Sequence, residues 1–171
     1  MGAKDHQEAA SREDAVARVA ILTVTDTRTR DTDTSGRSAF EIFRKFGHTV
    51  VLHEIVANNK KKVAATAITA LRDVDLVLTI GGTGISHKDV SVDALLPLIK
   101  KEMPGFGELF RAFSVKDIGT ATILSRVIMG ITEKRKILVA LPGSEKAVRL
   151  GLEAILMPEL KHILWELKRY P

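Results

Sequence analysis

The chain contains no cysteine, which excludes disulfides, thiolate zinc sites, iron–sulfur clusters and cysteine nucleophiles together. Its five histidines, His6, His48, His53, His87 and His162, are scattered and form no HExxH pair. A histidine-based transition-metal site is therefore not expected. Aromatic residues make up only 5% of the chain, too few for base-stacking platforms, so no nucleic-acid partner is expected. No segment approaches the roughly 18–20 uninterrupted apolar residues that a membrane span requires. The first twenty residues lack the apolar run of a signal peptide. The expectation is a cytoplasmic protein with no membrane partner.

What is present is the mix of an ordinary globular domain: 171 residues, 45% apolar and 27% charged. The net charge of +5 leans toward anionic partners. The positive residues cluster only at Lys60-Lys61-Lys62 and Lys168-Arg169, which suits a small phosphorylated ligand. Residues 1–17 are polar and aperiodic and read as a tail; residues 18–171 read as a single domain.

Strand-like and helix-like segments then alternate. Val19–Thr25, His48–Val56, Asp75–Ile80, Val127–Thr132 and Ile137–Leu141 have the apolar, β-branched character of strands. Helices are expected over Ser35–Phe46, Asn59–Leu71, Val92–Lys101 and Glu108–Phe113. A last helix runs from Glu145 to the C-terminus, bent at Pro158. Pro104-Gly105-Phe106-Gly107 reads as a turn. The order implies an α/β fold, a mostly parallel sheet with helices on both faces.

Ligands of such sheets bind beyond the carboxyl ends of the strands, and three of those ends carry distinctive loops. Gly81-Gly82-Thr83-Gly84 allows positive φ and close backbone approach, and successive amides in such a turn form an anion nest. It is neither a P-loop nor a GxGxxG loop. Asp89 follows five residues later. Ser91 as helix cap and Asp93 in the first turn leave Asp89 without a local structural role. It is either a solvated loop residue or a Mg²⁺ ligand beside a phosphate. The loop Asp26–Gly36 mixes acids, hydroxyls, Arg28 and Arg30. Asp33 and Ser35 are natural caps of the next helix, whose N-terminal amides, with Gly36, also attract anions. Pro142-Gly143-Ser144 opens the last helix. No nucleophile elbow or Ser-His-Asp order is present, so the chemistry indicated is phosphate binding with metal-assisted transfer.

Together these stretches resemble the MoaB/MogA family of molybdenum-cofactor biosynthesis proteins, related to the G domain of gephyrin and the plant Cnx proteins. The resemblance rests on Thr23–Asp26, Asp33–Gly36, Thr79–Gly84 with Lys88–Ser91, Met103–Glu108, Thr120–Arg126 and Leu141–Ser144, in family order over residues 18–165. Asp33–Gly36 and Pro142–Ser144 look more like the MoaB branch. The resemblance implies a three-layer α/β/α molybdopterin-binding fold, assembled as trimers or hexamers. It implies adenylylation of molybdopterin with Mg²⁺-ATP ahead of molybdenum or tungsten insertion, with a metal-insertion partner downstream. By position, Gly81–Gly84, Ser125 and Pro142–Ser144 would line the pterin-phosphate pocket, and Asp89 would act in adenylyl transfer through magnesium. Glu108 would be either a buried cap or a ligand. One departure matters. Enzymatic members carry a second aspartate just after the second strand, where this chain has Val56-Ala57-Asn58-Asn59. Asp26, at a neighbouring strand end, is the carboxylate placed to compensate. The alternative is a non-catalytic molybdopterin-binding or scaffold member of the same pathway.

Overall fold

Apolar runs without polar alternation form strands that must be covered on both faces. Three of them, β1 (Arg18–Val24), β3 (Leu76–Ile80) and β6 (Ile137–Leu141), lie side by side in the sheet. Every residue of β3 and β6 is buried, and Arg18 alone is exposed in β1. The computed structural model describes residues 15–169. Its six-stranded sheet has the order β2 (Thr49–Val56), β1, β3, β6, β5 (Ile128–Thr132), β4 (Ile99–Glu102). The run from β2 to β6 is parallel; β5 is antiparallel to β6 and β4 to β5.

Side chains alternate across the sheet with a period of two, so each central strand feeds two cores. Val19, Ile21, Leu78 and Val139 pack on one face with Phe43, Phe110, Val148 and Leu160. These come from α1 (Thr34–Lys45), α4 (Pro104–Ile118), α5 (Glu145–Arg149) and α6 (Met157–Arg169). Ala20, Leu22, Val77 and Leu138 pack on the other face with Val63, Ala67 and Leu95. Those belong to α2 (Lys60–Ala70) and α3 (Ser91–Leu95). The result is the three-layer α/β/α sandwich. After β1 the chain moves outward to β2, then returns to β3 on the other side of β1. This reversal opens a crevice at the carboxyl ends of β1 and β3, with the end of β6 beside it.

The structure corrects several expected boundaries. The helix expected over Val92–Lys101 stops at Leu95; a 3₁₀ turn, Leu96–Leu98, leads into β4. Pro97 has no N–H to continue an α-helix, and Ile99–Glu102 gains ladder partners on β5. Pro104–Gly107 is not a free turn but the first turn of α4, with Pro104 at its start, where a missing N–H costs nothing. The C-terminal helix carries its irregularity as a wide π-type stretch, Leu150–Leu156, immediately before Pro158. Residues 1–14 of the expected tail lie outside the described residues, whereas Ala15 and Ala17 are buried. The Ala17 N–H donates to His48 Nδ1 at 3.2 Å, and its carbonyl accepts from the Thr49 N–H at 2.9 Å. Among the described residues no helix is long and apolar enough to cross a membrane.

Candidate functional site

The glycine loop leaves β3 under tight control. The Gly81 N–H donates to the Leu141 carbonyl at 2.9 Å, tying the ends of β3 and β6 together. Gly81 and Gly82 have φ of +98° and +65°, a region that side chains with a Cβ rarely enter. A Cβ on Gly82 would also lie 2.7 Å from Ser91 Oγ. Ser91 is not the helix cap expected of it: Val90 precedes the helix and makes no side-chain cap. Its buried hydroxyl donates instead to the Gly81 carbonyl at 2.6 Å, an acceptor that the turn removes from the sheet ladder.

Three successive carbonyls then each meet a protein donor. Gly82 O accepts from Ser91 N at 2.9 Å, Thr83 O from Arg126 N at 3.0 Å, and Gly84 O from Arg126 Nε at 2.8 Å. In a trans peptide the following N–H points opposite to the carbonyl. The N–H groups of Thr83, Gly84 and Ile85 therefore face away from these partners, and among the described residues none of the three meets a protein acceptor. The loop thus offers successive unpaired amides of the kind that can form an anion nest.

Beside it lies a cavity of about 340 Å³. One wall is polar: Gly82–Gly84, Asp89, Ser125 and Pro142-Gly143-Ser144. The rest of the lining is largely apolar, with Phe110, Ile118, Leu124 and Leu150, and includes Asp117 and Lys146, paired at 3.0 Å. Ser125 Oγ is buried and has no hydrogen-bond partner among the described residues. A buried hydroxyl without a partner costs roughly 1–3 kcal/mol, and this one belongs to a residue of the cavity lining. Ser144 caps α5, its Oγ accepting from the Ala147 N–H at 3.2 Å.

The remaining sequence-predicted residues occupy four different places. Asp89 lines the cavity and, contrary to the sequence reading, also has a local structural role. Its Oδ2 accepts from the Ser86 N–H at 2.8 Å and closes the loop. Its Oδ1 carries no hydrogen bond within the described residues. Asp26 lies outside the cavity lining, where its Oδ1 accepts from the Asn58 N–H at 2.9 Å. Hydrogen bonds from the Asn58 main chain and side chain hold its carboxyl below the usual range, with the charge of Lys88 adding to them. Asp33, Ser35 and Gly36 are buried and do not line the cavity. Asp33 accepts from Thr23 Oγ1 at 2.6 Å, from His53 Nε2 at 3.0 Å and from the Gly36 N–H at 2.9 Å. Ser35 Oγ donates to Gly143 O at 2.7 Å and accepts from Arg28 Nη1 at 2.9 Å. These residues brace the Pro142–Ser144 turn from behind and do not form the pocket. Glu108 is exposed on α4, neither a buried cap nor a lining residue. The helix α4 extends beyond the expected Glu108–Phe113 at both ends and so brings Ile118 to the cavity lining; the buried Phe106, Phe110 and Ser114, at helical spacing, are the signal for the longer helix.

As for the chemistry of a divalent cation, the described residues contain no group of three or more His, Asp or Glu able to hold a metal alone. Asp89, with an uncommitted oxygen beside the glycine loop, fits the pattern of Mg²⁺ held by one carboxylate plus substrate phosphates.

The three-layer sheet with a glycine loop and cavity at its switch point has the form of a small-ligand-binding α/β domain, and likeness to known proteins sharpens that class. Residues 20–162 match the family model described as "Probable molybdopterin binding domain". A molybdenum cofactor biosynthesis protein B of Bacillus anthracis is 44% identical over 172 residues, covering 99% of each chain. A crystal structure of a molybdenum cofactor biosynthesis protein B superposes with a TM-score of 0.87 at 42% identity, covering 92% of this chain and 99% of that one. The tungsten cofactor synthesizing protein MoaB from Pyrococcus furiosus superposes with a TM-score of 0.82 at 34% identity, covering 91% and 99%. The chain belongs to the MoaB/MogA family of molybdopterin-binding domains.

Proposed function

We propose that the protein serves molybdenum or tungsten cofactor biosynthesis in the cytoplasm, binding molybdopterin and transferring an adenylyl group to it from Mg²⁺-ATP. The observation that carries the reading is the cavity itself. Its lining combines apolar side chains suited to a fused ring with Thr83 and Gly84, whose amides meet no protein acceptor, and the unpartnered Ser125 Oγ, suited to a phosphate. Its family membership supports the choice of a pterin.

In the transfer, a phosphate oxygen of molybdopterin attacks the α-phosphorus of ATP. The bond to the β-phosphate breaks and pyrophosphate leaves. The chain contributes by orienting: the nest holds the attacking phosphate, and no side chain needs to act as covalent nucleophile. Asp89 would hold Mg²⁺, which would supply charge neutralisation on the phosphates. The assay is incubation with molybdopterin and Mg²⁺-ATP, with chromatography for adenylylated molybdopterin. Product is expected, and Asp89→Ala should lower the rate about a hundredfold while the pterin stays bound. Folded protein that binds molybdopterin but yields no product would remove the transferase part.

A second reading, binding without turnover, is favoured by one observation. The β2 end carries Asn58, a neutral amide already engaged with Asp26. In both readings the protein self-associates as a trimer or hexamer and passes its ligand to a metal-insertion partner.

A further inference from the structure

Arg126 does not line the cavity; it borders the neighbouring groove. Yet it reaches back to the ligand loop at several main-chain points. Its N–H donates to Thr83 O at 3.0 Å. Its Nε donates to Gly84 O at 2.8 Å and its Nη2 to Asp89 O at 2.9 Å. Its two terminal nitrogens also grip the Asp93 carboxylate at 3.2 and 3.0 Å. One planar fork therefore holds the carbonyls at both ends of the Gly84–Asp89 segment, and the first turn of α3 anchors the fork.

We infer that Arg126 is the positioning residue of the ligand loop, setting the anion nest and the spacing between it and Asp89. Two consequences follow from peptide planarity. Drawing Thr83 O and Gly84 O toward residue 126 aims the Gly84 and Ile85 amides the other way, unpaired. Fixing Gly84 O and Asp89 O to one guanidinium sets the width of the loop that presents the Asp89 carboxylate. The remaining loop contacts, from Ser91 and within Ser86–Asp89, hold the two ends separately. Lysine cannot substitute, because one ammonium cannot span two carbonyls and a carboxylate in a plane. The ligand recognised this way is a phosphate group, and calling it the phosphate of molybdopterin rests on the proposed function.

The test compares Arg126→Lys and Asp93→Asn with the unchanged protein. In ¹⁵N-resolved NMR, titrating inorganic phosphate into the unchanged protein should shift the Thr83, Gly84 and Ile85 amides. The Arg126 Nε–H resonance should follow the same saturation curve. In R126K those amide shifts should be lost, and affinity for molybdopterin should fall about tenfold or more. Affinity for the dephosphorylated pterin should change less than about twofold. D93N, which keeps both carbonyl contacts, should stay within about threefold. A merely structural arginine would weaken both pterins alike and lower the melting temperature in proportion. That result, or wild-type amide shifts and affinity in R126K, overturns the inference. So does an Arg126 Nε–H resonance that ignores phosphate in the unchanged protein, a measurement needing no variant. Should phosphate shift the nest amides while neither pterin binds, the molybdopterin reading falls and the inference stands.

Discussion

At the scale of single residues, the site separates groups that bind from groups that hold. Ser125 Oγ and the Thr83 and Gly84 amides, all on residues of the cavity lining, have no protein partner among the described residues; Asp33, Ser35 and Ser91 have theirs committed inside the protein. This gives an unusual signature for Ser125→Ala. Its hydroxyl has no partner to lose, so the melting temperature of the free protein should hold or rise slightly. Molybdopterin affinity should fall several-fold, equivalent to about 1 kcal/mol. A calorimetric melt and a binding isotherm on the same sample check both halves. At the β2 end, Asn58→Asp would put a second carboxylate beside Asp26, so turnover with Mg²⁺-ATP should rise if metal binding limits the reaction. An unchanged rate in the adenylyl-transfer assay would show that this position does not govern turnover.

Among the elements, α1 shows how a cap can organise a site without touching the ligand. Asp33 accepts at the N-terminus of α1 and simultaneously from β1 and β2, through Thr23 and His53. Burial pushes its carboxyl upward, but the Thr23 hydroxyl, the Gly36 amide and His53 outweigh this and leave it below its ordinary value of 3.8. A depressed folded-state value means that the contribution is complete above about pH 4 and is lost as the pH falls further. Asp33→Ala should therefore cost about 2–4 kcal/mol at pH 7, the sum of a lost cap and stranded buried partners. Its stability should also depend less on pH below 4 than the parent's. Denaturant melts between pH 3 and 7 measure both. Because α1 also presents Ser35 to Gly143 O, the same variant should loosen the Pro142–Ser144 turn and weaken ligand binding.

For the molecule as a whole, His48 links the start of the described chain to the core. It is buried at 6% exposure, accepts the Ala17 N–H on Nδ1, and stacks edge-on against Phe43. Burial, then the charge of Lys161 on α6, pushes its imidazole below the ordinary 6.5. The unfolded chain therefore binds the proton more readily, and stability rises with pH through this range. The contribution is full above about pH 6.5 and declines as the pH falls below it. Thermal melts should show lower stability at pH 5 than at pH 7.5, and His48→Gln should flatten that difference. An equal slope in the variant would place the acid sensitivity elsewhere.

The sequence by itself determined the central strands, the position of the glycine loop and the two strand ends, those of β3 and β6, that line the cavity. Continuous apolar runs such as Leu76–Ile80 can only be covered on both faces, and Gly81-Gly82 admits a backbone closed to other residues. Its resemblance motifs also placed the chain in its family. Only the tertiary structure decided which polar residues line the cavity. Asp33 and Ser35 look the same as Ser125 in a local window, but long-range contacts to Thr23, His53 and Gly143 turn the first two inward and leave the third unpartnered. Ile99–Glu102 became a strand because β5, some thirty residues away, offered it a ladder, and non-local pairing leaves no periodicity to read. Arg126 escaped notice for the same reason: its acceptors, Gly84 O and Asp89 O, lie about forty residues back along the chain and are main-chain atoms. Backbone carbonyls have no letter in the sequence, so only the folded chain shows what that side chain holds.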